Sequence, residues 1–180
     1  YRLQQQQLQE QGRVMSPLDA QRLSRVAELN DSDRYRLVRI AAVFVPGTTL
    51  FVDNRISDGK AGYGVLQLIA THSEEATAVP PRYYLLDRGW IAAPPLRDRL
   101  PDVPSPAGVV TIEARLNLPP SRNPGSAPNG DSAQLNYVNI DELEKRWQRH
   151  VAPFVLEQTA GPGFTGVDRP PAGSNYEKNL

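Results

Sequence analysis

From residue 34 onward the chain alternates apolar and polar positions with a period of two, the spacing of a half-buried strand. Val38, Ile40, Ala42 and Phe44 share one side of the first such segment, Pro46-Gly47 turns, and Thr49 to Asn54 return. This pattern predicts an antiparallel hairpin. Tyr63 to Thr71 and Tyr83 to Asp87 follow as apolar strands joined by a polar loop through His72, Glu74 and Glu75. The clearest alternation is Val110, Ile112, Ala114, Leu116 and Leu118 against Thr111, Glu113, Arg115 and Asn117, a strand with one dry and one wet face. Leu135 to Ile140 reads as a short strand, and Asp141-Glu142-Leu143-Glu144 as the start of a helix with acids near its positive end. Val151 to Gln158 forms a last strand, which Pro153 assigns to a sheet edge or a bulge.

Ahead of the strands the period is helical. Leu3 to Gln11 is glutamine-rich, with only Leu3 and Leu8 to bury, and Ser16-Pro17-Leu18-Asp19 opens a second helix whose Leu23, Val26 and Ala27 face a core. Three segments lack any period. Pro94 to Ala107 holds five of the seventeen prolines and reads as a stiff, extended crossing; Pro119 to Ala133 reads as a surface loop, and Gly161 to Leu180 as an extended tail. About seven sequential strands without βαβ spacing predict a mainly β (α+β) fold, an antiparallel, barrel-like curled sheet with two or three short flanking helices. The expected division is a helical segment over residues 1–33, a β-rich domain over 34–160 and a tail over 161–180.

Composition narrows the chemistry. The 180 residues and 39% hydrophobic content suit one domain with a sizeable core. Twenty basic and twenty acidic residues cancel and are interspersed, which leaves no electrostatic footprint for nucleic acid. The absence of cysteine excludes a disulfide framework, a thiolate-bound zinc and a thiol nucleophile. No run of 18 apolar residues is present.

Two short motifs stand out. Phe51-Val52-Asp53-Asn54-Arg55 runs through Asp58-Gly59 to Gly62-Tyr63, and Leu85-Leu86-Asp87-Arg88-Gly89-Trp90 follows about thirty residues later. An apolar strand that breaks at an acid, an arginine and a glycine places the charges at a sheet rim, where Asp and Arg pair and Gly takes a backbone angle closed to other residues. The plain reading is therefore a rim network of Asp53, Arg55, Asp87 and Arg88. Two alternatives stand beside it: a carboxylate pair, Asp53 and Asp87, for hydrolysis, or a ligand pocket lined by Tyr63, Tyr83, Tyr84 and Trp90. His72 sits at a strand end, and His150 follows Arg146 and Arg149 near a helix C-terminus, settings typical of solvated histidines. Nucleophile-elbow, metalloprotease and nucleotide-loop motifs are missing, and the glycine-rich Gly59 to Gly64 opens no helix, so it does not cradle phosphate.

The Asp53-Asn54-Arg55 strand, the Gly59-x-x-Gly62-Tyr63 turn and Asp87-Arg88-Gly89-Trp90 followed by a proline-rich stretch together resemble the surfeit locus protein 1 family, over most of the chain. That resemblance implies an assembly factor of cytochrome c oxidase, not an enzyme, that assists haem a insertion into the catalytic subunit. It further implies a soluble domain between two transmembrane helices outside this sequence, at the inner membrane, on the periplasmic side or in the mitochondrial intermembrane space. The implied partners are the oxidase catalytic subunit, the haem a synthesis machinery and the membrane, with no nucleic acid. The motif residues Asp53, Asn54, Arg55, Gly59, Gly62, Tyr63, Asp87, Arg88, Gly89 and Trp90 are those expected near partner or haem. In bacterial members a His-x-x-Tyr-Ala pattern at the second transmembrane helix is implicated in haem a binding, and Asn179 falls where that histidine is expected. The axial ligand is therefore expected outside residues 1–180, with no metal site and no catalytic residue inside them.

Overall fold

The alternation that begins at Leu37 becomes strand β1 (Leu37–Phe44), which buries Val38, Ile40, Ala42 and Phe44 and turns Leu37 and Arg39 outward. The structure, a computed structural model, describes residues 34–72, 81–96, 99–118 and 130–166. Within these residues follow β2 (Leu50–Ser57), β3 (Lys60–Thr71), β4 (Tyr83–Ala92), β5 (Val109–Asn117), β6 (Gln134–Leu135), helix α1 (Ile140–Trp147) and β7 (Val151–Ala160). The sheet order is β1-β5-β7-β4-β3-β2-β6, and a further pairing of β1 with β3 closes five strands into a barrel. β2 and β6 continue the sheet beyond the ring.

The mainly β, barrel-like expectation holds, with three corrections. The first concerns the hairpin predicted at Pro46-Gly47. Phe44 pairs with Ile69 and Leu50 pairs with Leu66, so β1 and β2 follow one another along the same edge of β3 and do not pair with each other. Thr48 makes this step possible. Its hydroxyl donates to the Val45 carbonyl at 2.8 Å and accepts from the Leu68 N–H at 3.1 Å, replacing the ladder bonds that the five-residue excursion interrupts.

The second correction is that the sheet is mixed, since β7 runs parallel to β4 and β6 parallel to β2. Of the two places expected for Pro153, an edge or a bulge, the structure has the bulge: β7 inserts between β4 and β5. Tyr83 pairs with Val151 but Leu85 with Val155, and the exposed Pro153 sits in the bulge between them, where no ladder N–H is required. One helix occurs among the described residues, and the two expected before residue 33 lie outside them. The third correction is the strand expected over Leu135 to Ile140, which shrinks to Gln134–Leu135, because Asn139 caps α1 by accepting from the Glu142 N–H.

Three apolar clusters fix the layers. The barrel interior holds Val38, Ile40, Phe44, Ile69, Tyr84, Leu86, Ile112, Leu116, Phe154 and Leu156. A second cluster on the outer face, around Leu66, Leu68, Leu85 and Val155, is covered by Ile140 and Leu143 of α1. A third, Phe51, Tyr63 and Val65, is covered by Leu100 and Val103 of the crossing between β4 and β5.

Tyr84 is fully buried beside Phe154, its hydroxyl without a hydrogen-bond partner, and burial pushes its pKa up to about 12 despite the opposing charge of Arg82. Raising the folded pKa above the unfolded value of 10 gives a contribution that is complete below pH 10 and disappears as pH rises from 10 to about 12. A two-unit shift amounts to roughly 3 kcal/mol. Denaturant titrations across that interval are expected to show the loss in the native chain and a much smaller one in Tyr84→Phe; equal losses in both would remove Tyr84 as the cause.

Candidate functional site

Both motifs lie inside strands and not at strand ends, because each contains a β-bulge. On β4, Asp87 faces Leu66 and Gly89 faces Val65, so Arg88 is the extra residue of the bulge. On β2, the register breaks between Val52 and Arg55, leaving Asp53 and Asn54 as the interruption. A bulge re-aims the side chains that follow it. Here it carries Arg88 inward against Phe44 of the barrel core, and Trp90 outward onto the far side of the sheet.

Arg88 is only 2% exposed. Its Nη1 donates to Gln67 Oε1, its Nη2 to the Pro104 carbonyl and its Nε to the Gly163 carbonyl, each at 2.8 Å. The guanidinium also stands 5.2 Å over the Phe44 ring. All three acceptors are neutral, which corrects the rim salt bridge expected for this residue. Burial lowers its pKa, yet a guanidinium starts so high that it stays charged. One planar fork therefore ties together β3, β4, the proline-rich crossing and the turn that follows β7.

Gly89 completes that tie. Its φ is +122°, and a Cβ there would stand 2.1 Å from the Gly166 carbonyl oxygen and 2.8 Å from Thr165 Oγ1. The missing side chain lets the segment after β7 lie directly on β4. Trp90 N–H donates to the Gly166 carbonyl at 3.0 Å, while the Thr165 N–H and hydroxyl both donate to the Arg88 carbonyl at 2.9 Å. Gln158, buried at the end of β7, holds the same turn by donating to Pro162 O at 2.8 Å.

Trp90 joins the second motif to the first. Its ring covers Gly62, where a Cβ would lie 2.4 Å from the ring, and its Nε1–H donates to the Arg55 carbonyl at 3.2 Å. The ring thus reaches from β4 across β3 to β2. The β2–β3 connection is a two-residue turn, with Asp58 at φ +49° and Gly59 at +76°, the left-handed pair of a type I′ hairpin. Tyr63 is buried on the opposite face, edge-on to Phe51 with centroids 5.8 Å apart.

The expected residues thus form one structural unit, but not the arrangements first weighed. Asp53 accepts from Gln134 Nε2 of β6 at 2.9 Å, and Asp87 accepts from the Gly89 N–H of its own bulge at 3.0 Å. β3 lies between their strands, about 10 Å of lateral separation at ordinary strand spacing. The four aromatic residues do not line a common pocket: Tyr84 is in the barrel, Tyr83 packs on the second cluster, Tyr63 belongs to the third, and Trp90 lies over Gly62. Neither histidine offers an axial pocket for haem. His150 is 85% exposed with Nδ1 3.3 Å from Glu144, and His72 is exposed at the end of β3. Among the described residues no group of three or more His, Cys, Asp or Glu side chains could hold a metal ion, and no helix is long and apolar enough to cross a membrane.

Sequence reasoning missed Gln67, Pro104 and Gly163, the acceptors around Arg88, and Ser105 and Gln158, which hold Gln67 and the turn after β7. One signal was present. Gln67 interrupts the apolar run Val65-Leu66-Gln67-Leu68-Ile69 at a position whose neighbours must all be buried, so a polar group there needs an internal partner. No curated protein matches the chain in sequence. The model of the SURF1 family matches residues 1–179. The chain therefore belongs to the SURF1 family, a family of membrane-associated cytochrome oxidase assembly factors rather than enzymes.

Proposed function

We propose that this protein assists haem a insertion into the catalytic subunit of cytochrome c oxidase, acting as an extracytoplasmic scaffold and not as a haem carrier in its own barrel. The family match over residues 1–179 carries this reading. The packed interior and the exposed histidines support placing the haem ligand outside the described residues. In this reading residues 1–33 and 161–180 lead to flanking membrane helices, and residues 34–160 form the body that meets the oxidase subunit and the haem a synthesis machinery. Arg88, Gly89 and Trp90 act by fixing the path of the segment after β7, hence the orientation of the barrel relative to whatever follows Gly166.

The test is the haem a content of oxidase in membranes of cells that carry only a Trp90→Ala or an Arg88→Leu form. A several-fold fall in oxidase haem a per copy of the variant present in the membrane is expected. Normal oxidase content at normal variant levels would remove these residues from assembly. The visible spectrum of the full-length protein from haem a-producing cells, beside that of the fragment spanning residues 34–166, separates scaffold from carrier: haem on the fragment would refute the scaffold reading.

A further inference from the structure

The described residues of the crossing between β4 and β5 have no regular secondary structure, and its Leu100 and Val103 lie on the apolar face formed by Phe51, Tyr63 and Val65. Beyond Ala93, the hydrogen bonds of its described residues to the barrel gather at its far end. The Pro104 carbonyl accepts from Arg88 Nη2 at 2.8 Å, and Ser105 Oγ accepts from Gln67 Nε2 at 2.8 Å. The same guanidinium holds the Gly163 carbonyl through Nε. The two segments also touch: a Cβ on Gly163 would stand 2.8 Å from the Phe44 ring and 3.2 Å from Pro106 Cγ.

A buried cation without a counter-charge depends on every acceptor around it. Arg88 has three, all neutral, and one belongs to the turn after β7. When that turn lifts, Gly163 O is withdrawn and water reaches the site, so the desolvation of the guanidinium is no longer offset and hydration becomes the better state. A guanidinium that moves toward water abandons Pro104 at the same time. What is left on the crossing is one side-chain contact, Ser105 to Gln67, and two apolar residues.

We propose that Arg88 is a two-way latch: displacement of the Gly161–Gly166 segment releases the Leu100–Ser105 crossing and uncovers the apolar face at Phe51, Tyr63 and Val65. A pull on the chain beyond Gly166 is thereby converted into exposure of a sheet face on another side of the barrel. This holds whatever the protein assembles, since it rests on the latch geometry alone.

Hydrogen exchange read by mass spectrometry on the whole chain tests it. Gly166→Ala strains the tail without a steric clash on the barrel, because the position has φ +95° and nothing within 4 Å of the added Cβ. The expected result is exchange faster by about tenfold in the tail amides and, with it, faster thiol labelling of Val103→Cys, the chain having no cysteine of its own, while Ile112 and Ala114 of β5 keep their protection. The converse, Ser105→Ala, is expected to speed exchange at Phe164 and Thr165. Where Gly166→Ala loosens β5 as well, Thr165→Val, which removes a single hydrogen bond to Arg88 O, gives the deciding comparison. A tail that exchanges faster beside a crossing that labels at its original rate overturns the latch.

Discussion

Arg88→Leu is expected to lower the unfolding free energy by about 3 kcal/mol, and Arg88→Lys by nearly as much. Two effects oppose one another. Removing the guanidinium relieves a buried charge that has no carboxylate beside it, a gain that in other proteins makes some buried ions replaceable by apolar groups. It also strands the carbonyls of Pro104 and Gly163, at about 1–3 kcal/mol each where they stay buried, and opens space beside Phe44. Gln67 is partly protected, because Ser105 Oγ still reaches its Oε1 at 3.1 Å. The loss prevails because the carbonyls of Pro104 and Gly163 lose the one group that joins their two segments to β4. Lysine keeps the charge but presents one ammonium where three acceptors surround a planar fork, so it recovers little. In a chain of this size the loss corresponds to a melting temperature lower by about 6–12 °C. A lysine variant as stable as the native protein would show that charge, and not the fork, is what the site requires.

Gly62→Ala is expected to expel the Trp90 ring and cost about 2–4 kcal/mol. The new Cβ would lie 2.4 Å from both the Ile91 carbonyl oxygen and Trp90 Cε2. The first is backbone in a paired strand, which has no cheap displacement, so the indole must move and its hydrogen bond to Arg55 O breaks. Gly64→Ala is the internal control: two residues along the same face, its Cβ would meet Val52 Cβ at an ordinary 3.7 Å. That variant is expected to be neutral or slightly stabilising, since alanine restricts the unfolded chain more than glycine does. Tryptophan emission in a Trp147→Phe background reads the ring directly. A shift to longer wavelength is expected for Gly62→Ala and none for Gly64→Ala; identical behaviour of the pair would refute the close approach of ring and backbone.

Much of the fold was legible because its signal is local. β5 follows from strict alternation between Val110 and Leu116, and α1 from the polar residues before Leu143. What escaped reading depended on distant partners. Pro46-Gly47 looks like a hairpin turn from either side, and only Thr48, bonded to β3, reveals that the chain steps along one edge instead. Gly59 to Gly64 looks like a loop because glycine usually marks one; here the turn is confined to Asp58-Gly59, and Gly62 is bare because an indole from β4 occupies the place of its side chain. The motif letters fall on two adjoining β-bulges. Arginine beside aspartate suggested an ion pair, whereas the bulge sends the two side chains apart, and that separation has no signature in a single sequence.

The position of β7 sets an order of events for the newborn chain. β4 and β5 are not paired with each other: β7 joins them, parallel to one and antiparallel to the other. Until residue 160 is available the earlier strands form an open, curved sheet with two bare edges facing a vacant slot. Ring closure is therefore a late step, governed by contacts between residues as far apart in sequence as Leu85 and Val155. A chain cut short before Val151 would lack the keystone and not merely a stave. It would present two sticky edges to its neighbours, the form in which β proteins aggregate.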